Sequence, residues 1–482
     1  MKKSKINFFL NILLIISTLC LSVGYASINS ISMTLNGTVE FTVSNKLFIS
    51  DVTVYQTSNA IGSVNYYNGT LLDTTVELSN NPTDNSFVTF AVTLYNNADY
   101  NYLYSSSKFL LGEDTYDNEN IIFEITNLNE NDIISSNSFH TFYITFKYND
   151  STNITNNTLN CMINFVFGTK FKELILAKNV VTTSGDGLYK YDDKYYFSGT
   201  NVNNYVWFNC NDSYNSGIEN CEKWRIVSIE DDDSIKLVRD SVLSKEIIID
   251  LENKTNFWTN NVGSYTYGRD IQPNGTVLFD LRNRRPQTLS ADLSYCITGK
   301  NGCNAFVKDS NIINNTLYKN LNVDTDSLAR LYLEDVYFNY GLKTSALNKV
   351  IPFTSNIGLI DVGLNIDSVV NSEKTIQATS NVSLLNISDF IYSSTNTDCK
   401  TKFTNYACDN NWLALEDRFY FLNGKINDSN AQIWTNKDNY SIVSQDANNP
   451  YYLRPVVVLN SNTMALMTTD ENGNKYYVLL DN

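Results

Sequence analysis

Between Ile31 and Phe171 apolar side chains recur with a period of two almost everywhere. Ile31, Met33 and Leu35 alternate with polar residues, as do Val39, Phe41 and Val43, then Val88, Phe90, Val92 and Leu94, then Phe142, Ile144 and Phe146. A period of two puts such a set on one face of an extended strand, whereas a helix would scatter it around its circumference. The runs are broken by turn formers at Asn36-Gly37, Asn68-Gly69, Asn96-Asn97 and Asn149-Asp150. Short alternating strands joined by such turns predict an antiparallel β-sandwich over residues 27–171.

The pattern changes beyond that point. Residues 172–185 read as a linker, in which Leu174 to Val181 could also form a short helix or strand. From residue 186 to 482 the sequence predicts a disulfide-stapled α+β domain. Leu188 to Tyr191 and Tyr195 to Phe197 flank Asp192-Asp193-Lys194 as a hairpin. A second hairpin runs from Cys221 to Asp240, with the acidic turn Glu230 to Asp233 between its arms. Asp309 to Leu321 and Asp324 to Tyr340 have helical spacing, with Leu328, Leu331, Tyr332, Val336 and Tyr337 on one stripe. Strands return at Leu453 to Leu459 and Lys475 to Leu480, so the ends of this domain are expected to share a sheet around a helical, loop-rich insert. The expected fold class is therefore mainly β, a sandwich followed by an α+β domain.

Residues 1–26 have the layout of a secretory signal peptide. A basic start, Lys2-Lys3-Ser4-Lys5, precedes the apolar run Phe8 to Leu21, and small residues flank Tyr25 in Gly24-Tyr25-Ala26. The expected destination is the extracellular space or the cell surface. The usage, rich in Lys, Asn, Ile and Tyr, is that of a low-GC, Gram-positive-like bacterium. The Asn-x-Ser/Thr triplets at Asn36, Asn68, Asn153, Asn211, Asn274 and Asn381 read as by-products of that usage. The membrane enters only through the signal peptide, and no sorting motif explains surface attachment.

Cysteine spacing agrees with export. Apart from Cys20 in the signal and Cys161, the thiols form the close pairs Cys210/Cys221, Cys296/Cys303 and Cys399/Cys408, each bracketing a polar loop. Local disulfides are expected of an oxidising compartment. Cys161 is in phase with Ile163, Phe165 and Phe167, which predicts a buried, inert thiol.

Composition narrows the function. With 35 basic and 51 acidic residues the formal charge is −16. Such a chain is repelled by phosphate backbones, so nucleic acid is not an expected partner. His140 is the only histidine. It lies on the strand through Phe142, Ile144 and Phe146 and reads as a packed imidazole. That count removes Ser-His-Asp and Cys-His catalysis from the second domain unless the two domains share a site, and it removes all multi-histidine metal centres. No cofactor is expected. Glu230-Asp231-Asp232-Asp233 and Asp470-Glu471-Asn472-Gly473-Asn474 carry oxygens that could meet calcium, but both read as solvated turns.

Loop aromatics are the better binding candidates. Trp258, Tyr265, Tyr267, Trp412, Trp434 and Tyr440 lie in polar surroundings, where rings supply flat apolar faces for sugars or peptides. Trp207 and Trp224 lie on strands and are expected in the core. The basic cluster Arg282, Arg284 and Arg285 stands out against the acidic whole as a dock for an anionic glycan or wall polymer.

Two resemblances accompany these readings. Residues 1–170 resemble the TasA/camelysin group of secreted bacterial matrix-fibre proteins, on Gly24-Tyr25-Ala26, the strand Val88 to Tyr95 running into Asn96-Asn97, the strand Thr141 to Tyr148 and the strand Asn160 to Phe167. The Pro-Gly-Asp turn frequent in that group is replaced by Asn81-Pro82-Thr83-Asp84. Residues 186–482 resemble an uncharacterised domain of gut Firmicutes surface proteins, on Gly187-Leu188-Tyr189, Tyr205-Val206-Trp207-Phe208, Trp224-Arg225-Ile226-Val227, Asn411-Trp412-Leu413 and Leu453-Arg454-Pro455-Val456. The last of these strands is also similar to one in the C-type-lectin and formylglycine-generating folds. The resemblances imply a surface or matrix protein in which the sandwich assembles or adheres. The second domain is then expected to bind a glycan, a cell-wall polymer or a surface protein, without catalysis. The alternatives are a carboxylate-dependent hydrolase of wall polysaccharide and a purely structural, self-assembling subunit.

Overall fold

The computed structural model describes residues 46–81, 85–110, 121–130, 132–148, 158–210, 220–244, 276, 304–315, 326–403, 408–425, 432–438, 441–447, 449–469 and 473–480. Within them the chain is mainly β.

The first part is a sandwich of antiparallel strands. β1 (Leu47–Ser58), β4 (Phe87–Asn96), β8 (Ser138–Tyr148) and β6 (Ile121–Thr126) form one sheet in the order β1-β4-β8-β6. Facing it are β2 (Ala60–Asn68), β3 (Leu71–Leu78), β9 (Thr158–Lys170), β5 (Tyr102–Leu110) and the short β7 (Ile133–Ile134). Alternation decides which side chains turn inward. Val88, Phe90, Val92 and Leu94 from β4 and Phe142, Ile144 and Phe146 from β8 are all buried, and Phe142 meets Phe165 of β9 edge to face at 5.0 Å. Cys161 is buried and free in that layer, and burial pushes its thiol up to about 12. The early segments Ile31 to Leu35 and Val39 to Val43 lie outside the described residues, as does the signal segment.

No loose linker follows. Strand β9 continues to Lys170 and passes directly into helix α1 (Phe171–Lys178), which buries Phe171, Leu174 and Ile175. This is the helical alternative for the first part of Leu174 to Val181; Leu174 and Ile175 anchor it, Val180 and Val181 beyond its end are exposed, and Lys172 pairs with Asp233 of the second domain.

The second domain is built on a sheet that continues from the sandwich. β10 (Gly187–Tyr191) and β11 (Lys194–Ser198) form the expected hairpin, with Asp192 at φ +52° in its turn. β13 (Glu222–Ile229) pairs with β11, β12 (Tyr205–Phe208) and β14 (Ile235–Arg239). β21 (Val456–Leu459) lies beside β14, and β23 (Lys475–Leu479) runs parallel to β12. β22 (Met464–Thr469) pairs with β23 on one side and with the end of β9 on the other, Ala465 opposite Thr169. The late strands thus return to the first sheet, as alternation and spacing predicted. Gly168 makes the junction close: a Cβ there would lie 2.4 Å from Leu480 Cδ1.

The insert holds two small sheets, β15 (Ile312–Asn315), β17 (Ile376–Ser380) and β16 (Phe353–Asn356), and β18 (Tyr420–Gly424), β19 (Gln432–Asp438) and β20 (Ser441–Asp446). Its helices are α2 (Leu328–Leu331), which continues as a π-helix over Tyr332–Gly341, α3 (Thr344–Leu347), α4 (Ile366–Glu373), α5 (Ile387–Tyr392) and α6 (Thr397–Thr401). The helix expected over Asp324 to Tyr340 is present, and Leu328, Tyr332, Val336 and Tyr337 are buried. The one expected from Asp309 is not. A single 3-10 turn gives way to β15, whose backbone pairs with β17 across the insert, so tertiary pairing overrides the local period.

Candidate functional site

Tyr189 and Tyr191 are two residues apart on β10, and strand geometry turns both to one face of the hairpin. Tyr196, opposite Tyr189 in the register, shares that face. The segment from α5 to α6 packs over them. Tyr392 stacks on Tyr196 with ring centroids 4.5 Å apart and lies 4.6 Å from Tyr191. Lys400 brings its ammonium over the rings of Tyr191 and Tyr189, at 4.8 and 5.3 Å, and hydrogen-bonds the Tyr191 hydroxyl. The adjacent Cys399–Cys408 disulfide fixes this end of the segment. Tyr189, Tyr191, Tyr392 and Lys400 are half-buried, and Tyr196 is closed beneath them. Burial draws the Lys400 ammonium down to about 8 and raises the Tyr191 and Tyr392 phenols to about 12. The result is a partly open shelf of aromatic rings with one cation that loses its charge close to neutrality.

Beneath the shelf lies a layer of charge, most deeply buried at Lys236 and Asp389. Lys236 of β14 donates to Asp389 of α5 at 2.6 Å, and Lys194 of β11 pairs with Glu230. Glu373 at the end of α4 accepts the Ser388 backbone N–H at 2.9 Å and its hydroxyl at 2.5 Å. At 2% exposure this carboxyl is pushed up to about 8, by burial first, with the Asp389 charge adding to it. Burial also raises Glu230, but Lys194, Lys236 and the Ser228 hydroxyl outweigh it and hold the carboxyl below its usual value. Glu230 is thus not part of a solvated turn. Its side chain folds back onto Lys194, while Asp231, Asp232 and Asp233 remain exposed. Among the described residues no group of three or more His, Cys, Asp or Glu side chains is placed to hold a metal ion.

The tryptophans expected on loops are internal. Trp412 is 4% exposed: its indole N–H donates to the Phe197 carbonyl at 2.7 Å, and its ring carries the Arg225 guanidinium at 4.4 Å. Trp434 lies on β19, fully buried, edge to face with Phe403 at 5.0 Å, and donates to the Ile360 carbonyl at 3.2 Å. Polar neighbours in sequence misled because the nearest of them, Asn411, Thr435 and Asn436, are buried too. Asn411 and Asn436 bond backbone carbonyls beside the two rings rather than facing water. Neither indole offers an open face. Trp224 is core as expected, whereas Trp207 is half-buried and lies 5.4 Å from the Tyr476 ring. Trp258, Tyr265, Tyr267, Tyr440, Arg282, Arg284, Arg285, Cys296 and Cys303 lie outside the described residues. Cys210–Cys221 and Cys399–Cys408 are bonded. His140 is half-buried, with Nε2 2.8 Å from the Asn127 carbonyl.

The segments that carried the second resemblance meet inside the domain. Arg454 is fully buried and donates to the carbonyls of Leu413, Arg239 and Asp240 at 2.6, 2.9 and 3.2 Å. Burial lowers its pKa to about 9. Arg225 bonds Asn204 at 2.9 Å and lies between the rings of Tyr205 and Trp412. Those residues are the frame that presents the shelf.

The sandwich has an aromatic face of its own. Phe48, Tyr95 and Phe139 form a ladder across β1, β4 and β8 with centroids 5.7 and 4.4 Å apart, and Phe139 is 67% exposed. Sequence reasoning missed both aromatic faces by searching loops. The signal was the spacing of Tyr189 and Tyr191 on a hairpin strand. Comparison of the chain with family models, with curated proteins and with solved structures finds no match.

Proposed function

We propose that this is an exported, non-catalytic surface or matrix protein whose second domain binds a glycan or cell-wall polymer on the tyrosine shelf. The observation that carries the reading is the set Tyr189, Tyr191, Tyr392 and Lys400, half-buried rings beside one cation where the α5–α6 segment packs on the hairpin. Flat apolar rings with a polar tip suit the apolar face and hydroxyl rim of a sugar. The Phe48–Tyr95–Phe139 ladder, open at Phe139, gives the sandwich a surface for attachment or assembly. Disulfides between close cysteines agree with an oxidising compartment.

The runner-up, a carboxylate-dependent hydrolase, needs two carboxyl groups facing a substrate across a cleft. The most perturbed carboxyl among the described residues, Glu373, instead turns into a closed layer against Ser388.

A glycan array probed with the full chain tests the proposal. Binding is expected, and Tyr189→Ala or Tyr191→Ala should weaken it about tenfold, the loss of one ring contact. For an anionic polymer, affinity should fall as pH rises through about 8, where Lys400 loses its charge. Binding untouched by both tyrosine substitutions would remove the shelf as the site, and release of reducing ends from wall polysaccharide would favour the hydrolase.

A further inference from the structure

Among the described residues, Lys236 and Asp389 are the most deeply buried oppositely charged pair in the second domain. Their side chains are 11% and 3% exposed, and Nζ lies 2.6 Å from Oδ2. Lys236 projects from β14, a strand paired on both edges, so its backbone is fixed by β13 and β21. Asp389 is held equally firmly. It is the third residue of α5, and its Oδ2 also accepts the Asn386 backbone N–H at 2.8 Å in a capping box. Ser388, one residue before it, anchors the Glu373 carboxyl through two hydrogen bonds. Tyr196, closed under Tyr392, feels the charges of both Asp389 and Glu373 and covers the layer from the hairpin side.

A buried ion pair of this kind is an uneasy arrangement. Removing both ions from water costs more than a bare pair returns unless every remaining lone pair is satisfied. A lysine nitrogen and a carboxyl carbon are the reacting centres of amide formation; here the two side chains are already in contact, and fixed contact replaces the entropy cost of a bimolecular encounter. A second carboxyl, Glu373, is anchored on Ser388, next to Asp389 in α5, and interacts electrostatically with both Asp389 and Lys236. Lys194 and Glu230 lack this setting, because their side chains remain 33% and 17% exposed.

We propose that Lys236 and Asp389 join in a side-chain amide, an isopeptide bond between β14 and α5, with Glu373 relaying the protons. Lys236 Nζ bonds to Asp389 Cγ, and one Cγ–Oδ bond breaks. The ammonium gives up two protons, and these leave with the departing carboxylate oxygen as one water. Charge balances, since a cation and an anion become a neutral amide and water. No oxidation state changes and no co-reactant is needed. Glu373 gives its proton to the departing oxygen and is reprotonated from the attacking nitrogen, and the oxygen left on Cγ can still accept from Asn386. The bond would close a loop across 153 residues of sequence and tie the helical insert to the central sheet.

Mass spectrometry of the full chain, reduced and unfolded, tests for the bond directly. The expected mass is one water below that of the processed sequence, and proteolysis should yield a branched peptide joining the Lys236 and Asp389 segments. Lys236→Arg should restore the missing water. Glu373→Gln should slow bond formation about a hundredfold, the usual scale for losing a positioned acid–base group. An unshifted mass with only linear peptides overturns the proposal, as does a water loss confined to one unbranched peptide or a link at Lys194–Glu230. Unimpaired linking in Glu373→Gln removes Glu373 from the step. If a variant fails to fold, the wild-type peptide map still separates a branched chain from a linear one.

Discussion

Residues 46–170 and residues 186–480 bury polarity in different ways. In the sandwich, the buried polar side chains among the described residues are all neutral: Thr74, Ser86, Thr89, Asn96 and Thr169. In the second domain the interior holds Arg225, Lys236, Lys349, Glu373, Asp389 and Arg454, with amides such as Asn204, Asn411, Asn423 and Asn436 bonding backbone between them. The sandwich satisfies its backbone in ladders and fills the gap between sheets with Phe, Ile, Leu and Val. The insert has many short elements, whose loose backbone ends need side-chain partners. Buried charge is therefore what lets irregular chain pass through a core.

The contrast can be broken most forcefully at Arg454. Arg454→Ala strands three carbonyls in a dry interior and should cost about 3–5 kcal/mol in denaturant unfolding, as for a broken buried pair. Phe142→Ala in the sandwich should cost a similar or slightly smaller amount, about 3–4 kcal/mol, through a cavity alone. A far smaller loss at Arg454 would mean that the polar frame is ornamental.

Next in size, replacing Cys399 and Cys408 by Ser should lower stability by about 2–3 kcal/mol through the freed loop. It should also loosen Lys400 over the tyrosines, so glycan affinity and stability should fall together.

The last effect is a slope with pH, the smallest for a unit step. Glu373 titrates near 8 in the folded chain against 4.5 when unperturbed, so the folded state holds the extra proton in between. Stability should therefore decline as pH rises from about 4.5 towards 8, by at most about 1.4 kcal/mol per pH unit. Glu373→Gln should flatten that slope in a series of unfolding curves. An unchanged slope would place the titrating group elsewhere.

Alternation made the sandwich readable, because the face a strand residue takes is a local property. Val88 to Leu94 and Phe142 to Phe146 point where their period says, and the hairpins around Asp192 and Glu230 follow from turn chemistry. The shelf was only half legible. Tyr189 and Tyr191 declare a shared face, but Tyr392 and Lys400 reach it across some 200 residues, which no window of sequence reveals. Trp412 and Trp434 show the converse: a polar neighbourhood along the chain turned out to be a polar neighbourhood in the interior. The region from Asp309 failed through the same non-locality, since β15 exists only because β17 lies beside it.

The seam where Thr169 and Lys170 meet Ala465 and Met464 sets an order of events as well as a shape. Synthesis delivers residues 46–170 long before β22 exists, so the end of β9 and the hollow at Gly168 wait uncovered until Leu480 arrives. During that interval the molecule carries an unpaired strand end beside an apolar notch, the kind of edge that invites another chain.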